Sequence, residues 1–297
     1  MDVRRGPFGS MLTAIITPFD SDGAVDYEAF WRLLDHLRDT GSDGVVVCGT
    51  TGESPTLTED EKLALFSTAV DAVGSSMQVL AATGTYDTAH SVEMTRRAAA
   101  IGCHGVMAVT PYYSKPPQEG LYRHFVAIAD ATDLPVLLYN IPGRTARLIE
   151  IETLVRLAHH PRIVAVKDAV DDIDYTRRSV QALPDHFAVY SGSDAFTHDS
   201  MGVGGVGVVS VAAHLVGRRI KGMIEAHQQG EADVAAAIDA ALAPLFDALF
   251  VEPNPMPLKA ALNRWWGPVG DPRLPLIPAS DDTVAMLEAA LETATVA

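Results

Sequence analysis

Lys167 closes the β-branched run Ile163-Val164-Ala165-Val166, and that position suggests an amine used for chemistry. Such a run reads as a strand buried on both faces. Burial disfavours the charged form of an amine, lowers its pKa and makes it a nucleophile toward a carbonyl carbon. A plainer reading has Lys167 reaching water at the strand end or pairing with Asp168. Groups at the ends of other apolar runs weigh against it. Gly49-Thr50-Thr51-Gly52-Glu53-Ser54 lets backbone N–H groups and hydroxyls converge on an anion such as a carboxylate, although an ordinary hydroxyl-bearing turn looks the same. Thr110-Pro111-Tyr112-Tyr113 and Tyr139-Asn140-Ile141-Pro142-Gly143-Arg144-Thr145 end two further runs. One tyrosine alone is usually a packing residue, but three phenols and a guanidinium at neighbouring run ends are harder to explain by packing.

The elements that must carry these groups follow from periodicity. Apolar runs recur at Met11–Phe19, Gly44–Gly49, Gln78–Gly84, Gly105–Pro111, Pro135–Pro142, Ile163–Ala169, Phe187–Ser193 and Gly207–Ala213, which predicts eight strands. Between them the spacing is helical: Phe30, Leu33, Leu34 and Leu37 share one face, as do Leu63, Phe66, Val70 and Val73. Asp26, Thr58 with Glu61, and Asp87 are predicted helix N-caps. Strict alternation of strand and helix predicts parallel strands, and its closed form is an α/β (β/α)8 TIM barrel. An open doubly wound sheet competes, but the polar, Gly-rich segments after most strands suit one common mouth. After residue 230 the strand signal stops, which predicts a catalytic barrel over residues 1–229 and a C-terminal helical region over 230–297.

Composition narrows the function classes. The chain has 297 residues, 48% hydrophobic and 20% charged, ordinary for a folded α/β protein. A net charge of −16 argues against nucleic acid or an anionic membrane as partner, since both need clustered Lys and Arg. No apolar segment is long enough to span a bilayer and residues 1–10 lack a signal-peptide pattern, so a cytoplasmic location is expected. Cys48 and Cys103 are expected to be reduced and buried. Gly202, Gly204 and Gly207 match G-x-G-x-x-G but lead into a strand, so they predict close backbone approach rather than a dinucleotide site. The histidines show no zinc spacing, and no metal is expected.

Taken together, Gly49–Ser54, Thr110–Tyr113, Tyr139–Pro142 with Arg144-Thr145, Val166–Ala169, Gly205–Val211 and Glu252–Lys259 resemble the dihydrodipicolinate synthase family, within the Schiff-base lyases related to N-acetylneuraminate lyase. The resemblance spans essentially the whole chain, and Tyr112–Gln118 looks closest to actinobacterial members. It departs at Ser193, where the family usually carries an acidic residue. The resemblance implies that Lys167 attacks the keto carbon of pyruvate while Thr50 and Thr51 cradle the carboxylate. The imine then acts as electron sink with no cofactor, and the resulting enamine attacks aspartate-4-semialdehyde to give 4-hydroxy-tetrahydrodipicolinate, on the route to diaminopimelate and lysine. It implies a proton relay of Tyr139, Thr50 and Tyr113, the last from a neighbouring subunit. Arg144 would hold the semialdehyde carboxylate, Gly192 and Val209 would line the pocket through their backbone, and the assembly would be a homotetramer built from dimers. A sister aldolase or dehydratase on the same imine, or a non-catalytic barrel that binds a keto acid, remain as alternatives.

Lysine-inhibited members of the family bind the effector between subunits, with a Glu, an Asn and a His at positions that align here with His90, Tyr86 and Lys62. Exchanging a carboxylate for histidine and adding a lysine removes attraction toward a cationic ligand and adds repulsion, even with Tyr112 and Ser54 kept. Millimolar L-lysine is therefore expected to leave the steady-state rate nearly unchanged. Saturating, cooperative inhibition in the micromolar range would contradict this.

Overall fold

A computed structural model of the chain describes residues 6–296. The eight strands are β1 (Met11–Ala14), β2 (Gly44–Val47), β3 (Gln78–Ala82), β4 (Gly105–Val109), β5 (Val136–Asn140), β6 (Ile163–Asp168), β7 (Ala188–Ser191) and β8 (Gly207–Ser210). All pair in parallel in chain order and β8 pairs with β1, closing the predicted barrel. Most strands end before the apolar runs do. Ile16 and Phe19 follow β1 and are buried, but outside the ladder: Ile16 N–H donates to His214 Nε2 at 3.3 Å and Phe19 N–H to Val269 O at 3.0 Å. Apolar content records burial, and a buried loop is as apolar as a ladder.

Around the barrel lie α1 (Tyr27–Asp39), α2 (Glu59–Val73), α3 (Thr88–Ile101), α4 (Gln118–Asp130), α5 (Pro142–Thr145), α6 (Ile151–Ala158), α7 (Ile173–Ala182), α8 (Thr197–Gly202) and α9 (Ala213–Gln229). The predicted caps form. Asp26 accepts from Ala29 N–H, Thr58 and Glu61 make a reciprocal capping box, and Asp87 accepts from Ala89 and His90 N–H. Phe30, Leu33, Leu34 and Leu37 of α1 are fully buried, each worth about 1.5–3 kcal/mol relative to exposure. In α2 the buried face is Leu65, Phe66, Ala69 and Val73, with Leu63 and Val70 only half-buried, so it is rotated from the predicted stripe.

Two apolar layers result. One lies between strands and helices; the other fills the barrel and includes Leu12, Val46, Leu80, Met107, Leu137, Ala165, Tyr190 and Val209. Alternate residues of a strand face the same side, so in β6 the inward set runs Ala165, Lys167, Ala169. That parity aims Lys167 into the barrel. At the start of β8, Gly207 has φ +151°, and a Cβ there would stand 1.8 Å from Ser10 O. The close approach expected of the glycine run is therefore present.

The C-terminal helices are α10 (Ala232–Ala248), α11 (Met256–Trp265) and α12 (Asp281–Val296); α10 packs on α9 and α12. Lys259 of α11 pairs with Glu53, in the turn after β2, at 2.6 Å, and both side chains are 1% exposed. Glu53 also accepts from Arg273 N–H at 2.8 Å, and Arg273 makes a two-pronged contact with Glu61. Glu53 itself sits at φ +56°, a left-handed conformation that is uncommon for a non-glycine residue. The buried pair thus fastens the C-terminal region to a turn at the barrel mouth. Removing one partner leaves an uncompensated buried charge, so Lys259→Met is expected to cost about 3–5 kcal/mol in urea unfolding. Glu53→Gln combined with Lys259→Met should lose less than Lys259→Met alone. A loss under about 1 kcal/mol for the single variant would show that the pair does not hold the turn.

Candidate active site

Lys167 lies one residue from the end of β6, in register with Tyr139 of β5 and Tyr190 of β7, and is 4% exposed. Its Nζ stands 4.4 Å from the centroid of the Tyr139 ring. Asp168, the partner in the plainer reading, is engaged elsewhere: its carboxylate accepts from Thr176 Oγ1 at 2.7 Å and Val170 N–H at 3.1 Å. Burial is the main influence on the amine and lowers its pKa to about 8; Asp194 opposes the shift and the Arg144 guanidinium adds to it. At neutral pH an accessible fraction of this amine is therefore neutral.

Asp194 was not singled out in the sequence, where attention fell on its neighbour Ser193. The Ser193 carbonyl accepts from the Ser191 and Thr197 hydroxyls. The buried carboxylate of this turn is Asp194, which accepts from Ser210 Oγ at 2.5 Å and from Val211 and Ala212 N–H at 2.9 Å each. It fixes the end of β8, and its proton affinity is raised, chiefly by burial. Next to it, Gly192 N–H donates to Asp168 O at 2.6 Å, and a Cβ on Gly192 would lie 2.7 Å from Ala169 Cβ. No larger residue fits between the ends of β6 and β7.

Tyr139 is buried and its hydroxyl pKa is pushed up to about 12 by desolvation, against the opposing influence of Arg144 and the Thr50 hydroxyl. Thr50, Tyr139 and Arg144 share the wall of a cavity of about 590 Å³ with Tyr86, Tyr112 and Asn254. Among the described residues Arg144 makes no ion pair and its side chain no hydrogen bond, so its five donors are free. Thr51, Lys167, Gly192 and Val209 do not line this cavity: Thr51 is 2% exposed, and Val209 belongs to the barrel interior. Among the described residues the backbone N–H groups of Thr50 and Thr51 have no acceptor, whereas Glu53 and Ser54 N–H close the turn onto Thr50 O and Gly49 O. Two unused donors beside hydroxyls are suited to a carboxylate.

Tyr113 is not brought to this wall. It is 94% exposed at φ +70°, facing away from its own chain. Tyr112 stays, packed edge-to-face on Tyr86 with ring centroids 5.3 Å apart. Cys48 and Cys103 are free and buried, as expected. A larger cavity, about 770 Å³, opens at the opposite barrel end beside Phe187–Val189 and Gly204–Val206, with neither lysine nor arginine in its wall. The Lys167 amine with its lowered pKa, Tyr139 and the unpaired Arg144 all lie at the other end, at the mouth formed by the strand C-termini.

A model of the dihydrodipicolinate synthetase family matches residues 7–294. A 4-hydroxy-tetrahydrodipicolinate synthase of Thermosynechococcus vestitus is 51% identical over 96% of this chain and 97% of its own, and one of Heliobacterium modesticaldum is 50% identical over 96% and 95%. The solved synthase of Cyanidioschyzon merolae with lysine bound superposes with a TM-score of 0.95 at 43% identity, covering 98% of this chain and 99% of that one. The expected nearness to actinobacterial members is not borne out by these relatives; it rested on the seven-residue run Tyr112–Gln118, too short to order relatives that match over whole chains. With a matching barrel, a buried lysine at the end of β6 and similarity over nearly every residue, the chain belongs to the dihydrodipicolinate synthetase family.

Proposed function

We propose that the chain condenses pyruvate with L-aspartate-4-semialdehyde to give 4-hydroxy-tetrahydrodipicolinate, the product that the names of its relatives carry. The observation that carries this reading is the amine of Lys167, buried inside the barrel with its pKa lowered to about 8. The neutral amine adds to the keto carbon of pyruvate, water leaves, and the iminium draws electrons from the adjacent C–H bond, so that a methyl proton departs and an enamine forms. Attack of the enamine carbon on the aldehyde makes the new C–C bond, and the semialdehyde's own amino group then attacks the iminium carbon, closing the ring as the C–N bond to Lys167 breaks and the free amine is regenerated.

The other residues divide the remaining work. The free N–H groups and hydroxyls of Thr50 and Thr51 hold the pyruvate carboxylate. Tyr139, beside both Lys167 and Thr50, moves protons to and from the reacting atoms. Arg144, unpaired at the rim, holds the carboxylate of the semialdehyde, for which a planar guanidinium is well shaped. Gly192 and Val209 bring backbone close to the imine. Tyr113, turned outward, completes the relay of a neighbouring subunit, so the active form is a homotetramer built from dimers. In this reading residues 1–229 form the catalytic barrel and 230–297 a helical region that braces it. The reading also includes a cytoplasmic location; among the described residues no helix is long and apolar enough to cross a membrane.

Borohydride added with pyruvate should attach the reduced adduct to Lys167, and Lys167→Arg should lose nearly all turnover because guanidinium supplies no neutral amine. An adduct on Lys115 or Lys259 would overturn the assignment. Arg144→Ala should raise the KM for the semialdehyde and reduce turnover while leaving pyruvate trapping intact. If the folded variant no longer traps pyruvate, the division of the two carboxylates is wrong.

A further inference from the structure

Asn254 lies in the segment between α10 and α11, far from Thr51 in sequence, yet its Nδ2 donates to Thr51 Oγ1 at 2.9 Å. It is 5% exposed, and its residue forms part of the cavity wall beside Thr50 and Tyr139. An amide NH2 can only donate, so the Thr51 oxygen accepts in this contact and its single O–H proton must be given elsewhere. Among the described residues no acceptor takes that proton, just as none takes the backbone N–H protons of Thr50 and Thr51. The turn is fixed from several sides: Thr17 Oγ1 donates to Gly52 O at 2.8 Å, and Glu53 is clamped by Lys259. The Thr51 hydroxyl can still turn about its C–O bond, and the Asn254 donor restricts that rotation.

We propose that Asn254 is a positioning residue for the keto acid: by donating to Thr51 it sets the direction of the Thr51 hydroxyl, so that the hydroxyl proton joins the free N–H groups as a donor to the substrate carboxylate. The proposal rests on the pyruvate reading above and extends it, giving the C-terminal region a part in substrate binding as well as in bracing. Asn254 touches the reaction only through Thr51. Its loss therefore affects one substrate and depends on the Thr51 hydroxyl being present, which a general loosening of the fold would not.

The test is steady-state kinetics on the full-length protein with both substrates, alongside pyruvate trapping by borohydride. Asn254→Leu keeps the approximate size and removes the donor; it should raise the KM for pyruvate about tenfold, the order expected for one hydrogen bond to a charged group, and move the KM for the semialdehyde less than about twofold. In a Thr51→Val background the same change should add less than about twofold, because the hydroxyl it orients is already gone. Asn254→Asp, equal in size, turns the donor into an acceptor and should raise the pyruvate KM further; it also carries the test if Asn254→Leu does not fold. An unchanged pyruvate KM, equal losses for both substrates, or effects that multiply in the double variant would overturn the proposal. If the wild-type protein itself fails to trap pyruvate, the functional reading falls and the proposal with it, an outcome visible before any variant is measured.

Discussion

Everything at the mouth of this barrel depends on keeping one amine out of water. A lysine on an exposed strand end would be protonated at any physiological pH and would not attack a carbonyl carbon. Lys167 escapes that state because eight strands close around it, with Tyr139 and Tyr190 in register on either side and Ala165 and Ala169 sharing its face. The closed sheet has no edge through which water could reach the amine from the side. Asp194 moderates the effect. Complete desolvation with no anion nearby would press the amine further from its charged form, which the iminium resembles, so a buried carboxylate near Lys167 limits the shift and favours the later cation.

A desolvated nucleophile needs its substrate delivered in one orientation, and the turn after β2 is built for that. Its backbone turns through left-handed residues at Cys48 and Glu53, conformations that need support from outside. The support comes from the far end of the chain, through the Lys259–Glu53 pair, the Arg273 contacts and the Asn254 amide. The C-terminal region thus does more than cover the barrel. It holds the part of the mouth that has unused N–H donors, while the opposite rim leaves Arg144 unpaired for a second anion. In the proposed reaction the first set of donors takes the carboxylate of the keto acid and the second that of the aldehyde, one on each side of the amine.

The fold was legible in the sequence because alternation of short apolar runs with amphipathic stretches leaves few architectures, and Lys167 stood out as a charge at the end of a β-branched run. The parity that aims it inward, Ala165-Lys167-Ala169, was also readable, being a simple alternation. Strand ends were less so: Ile16 and Phe19 are buried against His214 and Val269 rather than in the sheet, which hydropathy cannot distinguish from a ladder. Glu53, Asn254 and Lys259 lie in segments that carry the resemblance, but the contacts Asn254–Thr51 and Lys259–Glu53 had no local signal, since the partners lie some two hundred residues apart and only closure brings them together. Asp194 was hidden by an atypical neighbour. Tyr113 shows the converse limit: its place after a strand is readable, but its facing away from the cavity of its own chain is not.

The central claim is that Lys167 is a weakly basic amine because of where the fold puts it. Incorporation of lysine labelled with carbon-13 beside the amine, followed by an NMR pH titration of the folded protein, reads this directly. One resonance should titrate near pH 8 and be missing from the spectrum of Lys167→Arg. If the resonance lost in Lys167→Arg instead titrates near the free-lysine value of about 10.4, burial does not set the reactivity of this lysine.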